Sequence, residues 1–391
     1  MEKLINQLNA ADKEDRLDAL REIARMKDAG KLASPNFGDN INNHIHTIYS
    51  FSPYSPTMAV YRAWASGLAT AGIMDHDSVA GVEEFLLAGG IMRFPVTVGF
   101  ECRCSLAGTP FEGKMFSNPD QASVGYFAMH GLPRQSLGEA EAFLKPCREK
   151  RNVRNRKMVE RLNAKLAMFG MRLDFDKDVL PISQYANGGS ITERHLMYAL
   201  ASAITSDENQ RYFLLGDFKS QLLESVYVNA DDELPHILDF IELGEKLGAI
   251  PAYAYLGDVG VSVTGDKKKQ TLEDPHLDEY VAYLADIGMK AITYMPARNT
   301  LPQLQRLMAL CEKHSLFQIS GEDINSPFQK FVCEKIEAPE FRHLIDSAWA
   351  LIGHEKATAA GLEKGMFSAE TVLKFPELND RIRYYADLAR K

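Results

Sequence analysis

Apolar and polar positions along this 391-residue chain fall into two alternating periods. Short runs rich in β-branched and aromatic residues, at 41–46, 71–75, 96–104, 123–129, 249–254, 290–295 and 316–321, read as strands. Stretches with apolar residues at helical spacing lie between most of them, at 57–70, 78–89, 235–247, 274–288 and 301–314. Strand, helix and strand in repetition predict an α/β protein with a parallel sheet. Seven such strands with flanking helices predict a barrel more than an open sheet. No glycine-rich phosphate loop or dinucleotide fingerprint follows the first run, which weighs against a nucleotide-binding open sheet.

Alternation also assigns faces. In Asn42-Asn43-His44-Ile45-His46-Thr47, the residues Asn42, His44 and His46 share one face, and Ile41, Asn43 and Ile45 the other. Two imidazoles close together on a strand are a ready pair of metal ligands; two surface histidines in a loop are the plainer alternative. In the third run Val96, Val98, Phe100, Cys102 and Cys104 make a packing face, and Glu101 and Arg103 point the other way. A carboxylate facing a barrel interior needs a partner, because burying it alone is costly. For Glu101 that partner is a metal ion or Arg103.

Polar residues gather where the runs end. His44 and His46 close the first, Asp75, His76 and Asp77 the second, and His130 the fourth; Asp323 follows the last. Parallel strands in a barrel bring such ends to one face, where barrel enzymes keep their chemistry.

The alternation breaks at 145–235, which holds helices and no convincing strand. Ten Lys/Arg stand against two acids within 145–172, above an apolar stripe of Val159, Leu162, Leu166 and Phe169. This is either a solvated helix face or a lid presenting positive charge to an anionic substrate. Asn187-Gly188-Gly189-Ser190 then leads into a helix starting near Ile191-Thr192-Glu193-Arg194-His195. Arg194 and His195 are candidate phosphate contacts there, or ordinary first-turn residues.

The pattern divides the chain into an N-terminal helical extension (1–36), a first barrel part (37–144), a helical insertion (145–235), a second barrel part (236–335) and C-terminal helices (336–391). The first helices pack on the main domain or on a partner chain, which leaves a homo-oligomer open. C-terminal helices are expected at 337–353, 355–364, 368–373 and 377–390.

Apolar residues at 46% and charged residues at 25% are ordinary for a globular protein. A net charge of -9 argues against a general nucleic-acid binder. No apolar run is long enough to span a membrane, and the first thirty residues lack a signal-peptide core. Five sparse, unpatterned cysteines suit reduced thiols in a cytoplasmic protein.

Taken together, His44-x-His46, Ile73-Met74-Asp75-His76-Asp77-Ser78, Glu101, His130 and Gly321-Glu322-Asp323 resemble the PHP family, named for polymerase and histidinol phosphatase. The match spans about 37–130 and 236–330. The resemblance implies a distorted (β/α)7 TIM-like barrel with an inserted helical domain, and divalent metals at the C-terminal strand ends. The insertion is similar to that of the branch acting on nucleotides, which carries an Ile-Thr-Arg-x-His segment. Here Glu193 stands in place of that arginine. Other departures fall on ligand positions. Phe51 and Ser52 occupy the place of an acid or histidine, Tyr255 that of a histidine, and Asn325 that of the last histidine.

What the resemblance implies for the site is a first ion on His44, His46, Glu101 and Asp323, and a second on Glu101 and His130. A third would have His76 and Asn325, with Asp258 a candidate to compensate. Zinc, manganese and iron all suit this ligand mixture. The expected reaction is hydrolysis of a small phosphate ester, nucleotide-like or a sugar phosphate, by a metal-bound hydroxide. His76 or Asp75 would position the water or protonate the leaving oxygen, and Arg134, Arg194 and His195 would take the phosphate charge. The alternatives are a degenerate barrel kept for binding, and hydrolysis of a C–N bond.

Overall fold

A computed structural model describes residues 1–259 and 273–391. Two helices lead in, α1 (Glu2–Gln7) and α2 (Lys13–Asp28). The Asp12 side chain accepts from the Glu14 and Asp15 amides, capping donors that the first turn of α2 leaves bare. The chain then runs through β1 (Ile41–Ile45), α3 (Pro56–Ala65), β2 (Thr70–His76), α4 (Val82–Met92), β3 (Val96–Ser105) and β4 (Val124–His130). Leu17, Leu20 and Ile23 of α2 join the main core, and Arg16 pairs with the buried Glu84 of α4 at 2.5 Å. The N-terminal helices therefore cover the main domain.

The insertion holds α5 (Leu137–Leu166), α6 (Glu193–Ser202) and α7 (Glu208–Val226). After it come α8 (Ile237–Leu247), β5 (Ile250–Ala254), α9 (Leu277–Asp286), β6 (Ala291–Tyr294), α10 (Leu301–Lys313) and β7 (Phe317–Ser320). The end is α11 (His343–Thr358), α12 (Ala369–Lys374) and α13 (Leu378–Arg390). The stretch expected to hold two helices from 337 to 364 is mainly the single helix α11. α13 packs so closely on α11 that a Cβ at Gly353 would meet the Tyr385 carbonyl.

The seven strands hydrogen-bond in chain order and form a nearly closed barrel wrapped by helices. Closure comes from the chain just past β7. His46 N donates to Ile324 O at 2.9 Å, and Ile324 N to His44 O at 3.1 Å. The third run behaves as its alternation implied: Val98, Phe100, Cys102 and Cys104 join the core between sheet and helices, with Phe100 edge-on to Phe240 of α8.

One expectation is corrected. β4 is antiparallel to both β3 and β5, so the sheet is not parallel throughout. A parallel return needs a crossover, and only the helix-free chain of 106–123 joins β3 to β4, so the chain turns back on itself. β4 therefore ends at the barrel's base, with His130 opposite Ile250 at the start of β5. α5 then climbs the outside. By Arg148, about 17 Å along the helix, it has reached the far end, where Arg148 donates to the Asp77 carbonyl. The sequence boundary at 144/145 falls inside this helix. Above the barrel Met158, Val159, Leu162, Leu196, Leu200, Leu215 and Leu223 build a separate small core. Phe169, expected in that stripe, is 68% exposed, because α5 stops at Leu166. Among the described residues, no helix is long and apolar enough to cross a membrane.

Candidate metal centre

Three strands and the chain after β7 converge on one site. β1 brings His44 and His46, β2 brings His76, β3 brings Glu101, and Asp323 follows β7. β1 carries an irregularity between Asn42 and Ile45, where it uses one more residue than β2. A Cβ at Gly321 would come within 2.6 Å of His44, so glycine lets the last strand approach the first ligand.

His44, His46 and Glu101 offer ligand atoms within 4.8 Å of one another, all buried. Glu101 Oε2 lies 3.0 Å from His76 Nδ1, 3.5 Å from His44 Nε2 and 3.9 Å from His46 Nε2. His46 Nε2 is 3.1 Å from Asp323 Oδ1, yet it is buried and makes no hydrogen bond. Its other nitrogen explains why. Ser50 Oγ donates its one hydrogen to Asp75 Oδ1 at 2.6 Å, so at 3.1 Å from His46 Nδ1 it accepts from the ring. The hydrogen thus sits on Nδ1, and the Nε2 lone pair faces the two carboxylates, the form a metal ligand takes.

Electrostatics point the same way. Burial pushes the Glu101 carboxyl up, but the imidazoles of His76 and His44 outweigh it and hold the group far below the usual carboxylate range. Burial likewise opposes ionisation of Asp323, and the surrounding charges, those of His44 and Arg194 among them, override it. Two ionised carboxylates among three imidazoles suit a divalent cation: the oxygens supply charge, the lone pairs donate, and His46 Nε2 lacks any other partner.

Glu101 contacts histidines, and Arg103, the other partner considered for it, is engaged elsewhere. Arg103 reaches Glu233 at 2.5 Å and Glu193 at 3.6 Å. Arg151 binds Glu193 at 2.8 Å and Asp77 at 2.6 Å, and Arg154 binds Glu193 at 2.5 Å and Glu233 at 2.8 Å. Three buried guanidiniums thus meet three carboxylates. Most of the charge expected of a basic lid is neutralised here or faces solvent. Glu193, standing where an arginine was expected, is the hub of that network.

Other sequence candidates are also relocated. Asp75 accepts from Thr47 N, Thr47 Oγ1 and Ser50 Oγ, so its oxygens brace the loop after β1 and do not face the reacting groups. His130 lies two residues beyond Ala128, the partner of Glu101, about 7 Å toward the base. It keeps to the same face of the sheet as Glu101, close enough to feel the charges of His44 and Glu101; its Nε2 is buried without a hydrogen bond, and burial pushes its imidazole down to about 3. Asp258 Oδ1 accepts from Glu273 N. Tyr255 lines the pocket, but its hydroxyl donates to Asp274 at 2.7 Å. Asn325 donates to Asp323 Oδ1 at 2.6 Å, which makes it a brace for a ligand.

No protein-family model matches the chain, and no curated protein matches it either. Solved structures do. A protein from Bifidobacterium adolescentis, described as an inferred metal-dependent phosphoesterase, shares 21% identity at a TM-score of 0.57, over 78% of this chain and 95% of that one. An amidohydrolase from Chromobacterium violaceum, with sulfate bound and no metal, shares 19% at 0.58, over 79% and 96%. The likeness is one of fold.

Of the three expected phosphate contacts, the structure brings one to this pocket. Arg194 lines it, near enough to Asp323 to help keep that carboxyl ionised. His195 is buried and caps its own helix, accepting from Thr192 N at 3.0 Å, and burial pushes its imidazole down to about 3. Arg134 is outside the pocket, exposed and paired with Glu83. Lys219 and Tyr126 line the pocket without having been singled out from sequence. Lys219 sits far along α7, and no local spacing links it to the strand ends.

Proposed function

We propose that this chain is a metal-dependent hydrolase of a small phosphate ester, of the PHP type. One observation carries the reading: His44, His76, Glu101 and Asp323 line a pocket together with Arg194 and Lys219, and the unpartnered His46 Nε2 lies against that cluster. His44, His46, Glu101 and Asp323 would hold the ion, with His76 beside them. A divalent ion there would supply Lewis acidity and lower the pKa of water toward neutrality.

The chain's own groups do the rest. Arg194 and Lys219 bind and orient an anionic group, since guanidinium and ammonium both suit phosphate oxygens. His76 donates from Nδ1 to Glu101; at 22% exposure it is the cluster's most accessible imidazole, and as the imidazolium it would hand the Nε2 proton to the leaving oxygen.

The test is hydrolysis of a panel of nucleotide and sugar phosphates with zinc or manganese added. Turnover by the wild type and its loss in Glu101→Gln are expected. Absence of turnover across the panel, with wild-type behaviour in Glu101→Gln, sinks the reading. The likeness to an amidohydrolase supports a second reading, C–N bond hydrolysis. An amide panel turned over where phosphoesters are not would favour it. Metal binding without turnover of either would favour a binding role for the barrel.

A further inference from the structure

The loop after β1 carries an unusual residue. Phe51 has a φ of 98°, in the left-handed region. A bulky aromatic side chain keeps that conformation only where the surroundings over-determine it. Those surroundings belong to the insertion. The Phe51 ring is buried in the small helical core and meets His195 edge-on at 5.0 Å, Tyr198 at 5.5 Å and Tyr212 at 6.0 Å. A second tie lies beside it: Ser190 N donates to the Tyr49 carbonyl at 2.7 Å.

Ser50 stands between these two anchors. Its hydroxyl donates to Asp75 and accepts from His46 Nδ1, which puts the imidazole hydrogen on Nδ1 and the lone pair on Nε2. A shift of the loop would break that bond, and the ring would be free to turn or change tautomer.

We propose that Phe51 is a positioning residue through which the helical insertion sets the metal ligand His46. The insertion is then part of the scaffold of the metal site as well as a wall of its pocket. The inference rests on the metal reading above and adds a dependence that reading does not contain.

The experiment measures zinc affinity of the full chain by chelator competition, with the visible spectrum of the cobalt-substituted protein as a readout of ligand geometry. Phe51→Ala is expected to weaken binding by about tenfold or more and to change the cobalt spectrum. Phe51→Leu, which keeps bulk in the core, is expected to restore most of the affinity. Ser50→Ala, which removes the acceptor directly, is expected to match Phe51→Ala, and it carries the test if Phe51→Ala does not fold. Val226→Ala is the control. It lies in the same core, 14 residues along α7 from Tyr212 and so about 20 Å away. It should lower the melting temperature and leave affinity unchanged. Wild-type affinity and spectrum in Phe51→Ala or Ser50→Ala would overturn the inference, as would an equal loss in Val226→Ala. A wild-type protein that takes up no zinc or cobalt would instead overturn the metal reading, and the inference with it.

Discussion

At the scale of single residues, placement decides chemistry more than residue type does. Glu355 of α11 shows this away from the site. Its Oε1 accepts from Thr97 Oγ1 and from Val98 N at 2.9 Å, and burial pushes its carboxyl up to about 8. The folded group therefore holds its proton where the unfolded one has lost it. Its contribution to stability is complete below about pH 4.5 and declines up to about pH 8. Glu355→Gln, which keeps an acceptor and cannot ionise, should raise stability at pH 8 by on the order of 2 kcal/mol and change little at pH 4.5. Urea midpoints at the two pH values check this; an equal effect at both would refute it. Within the metal cluster, Glu101→Gln should abolish metal uptake by elemental analysis. His44→Ala with His46→Ala should do the same.

Among elements, the buried arginine network joins α5 and α6 to β3. Glu193 compensates guanidiniums from Arg103, Arg151 and Arg154, and all three outweigh the burial that opposes its charge. Removing one partner of a buried charge network leaves the others uncompensated. Glu193→Ala should therefore cost about 3 kcal/mol or more, measured by urea denaturation, with proteolysis first in the insertion. A loss under about 1 kcal/mol would mean that the arginines reach water easily. The α11–α13 contact makes a separate claim. A Cβ at Gly353 has no room against Tyr385, so Gly353→Ala should destabilise by about 1–3 kcal/mol.

For the whole molecule, metal binding must appear as stability. A ligand that binds the folded chain alone stabilises it, by about 2.7 kcal/mol at a hundredfold excess over Kd. Zinc or manganese should raise the melting temperature of the wild type and leave that of Glu101→Gln unmoved. An unmoved wild type would favour a barrel without a metal. The pocket joins parts far apart in the chain: β strands, the segment after β7, and Arg194 and Lys219 of the insertion.

The strands and the cluster were legible in the sequence because alternation is a local property. Apolar residues at every second position of Val96–Ser105 fixed which face packs, and hence where Glu101 points. His44, His46, His76 and Asp323 could be read because each ends or follows such a run, and Glu101 because of the face it takes. Strand direction is not local. Nothing within Val124–His130 states which way it runs against its neighbours, so the sequence did not show that His130 comes from a strand running toward the base. Long charged side chains escape the same way. An arginine pattern records charge, whereas partners such as Glu233 for Arg103, 130 residues away, exist only once the chain has folded. Phe51 is the sharpest case: its backbone angle is set by an aromatic pocket built from residues more than 140 positions away, and folding alone brings them together.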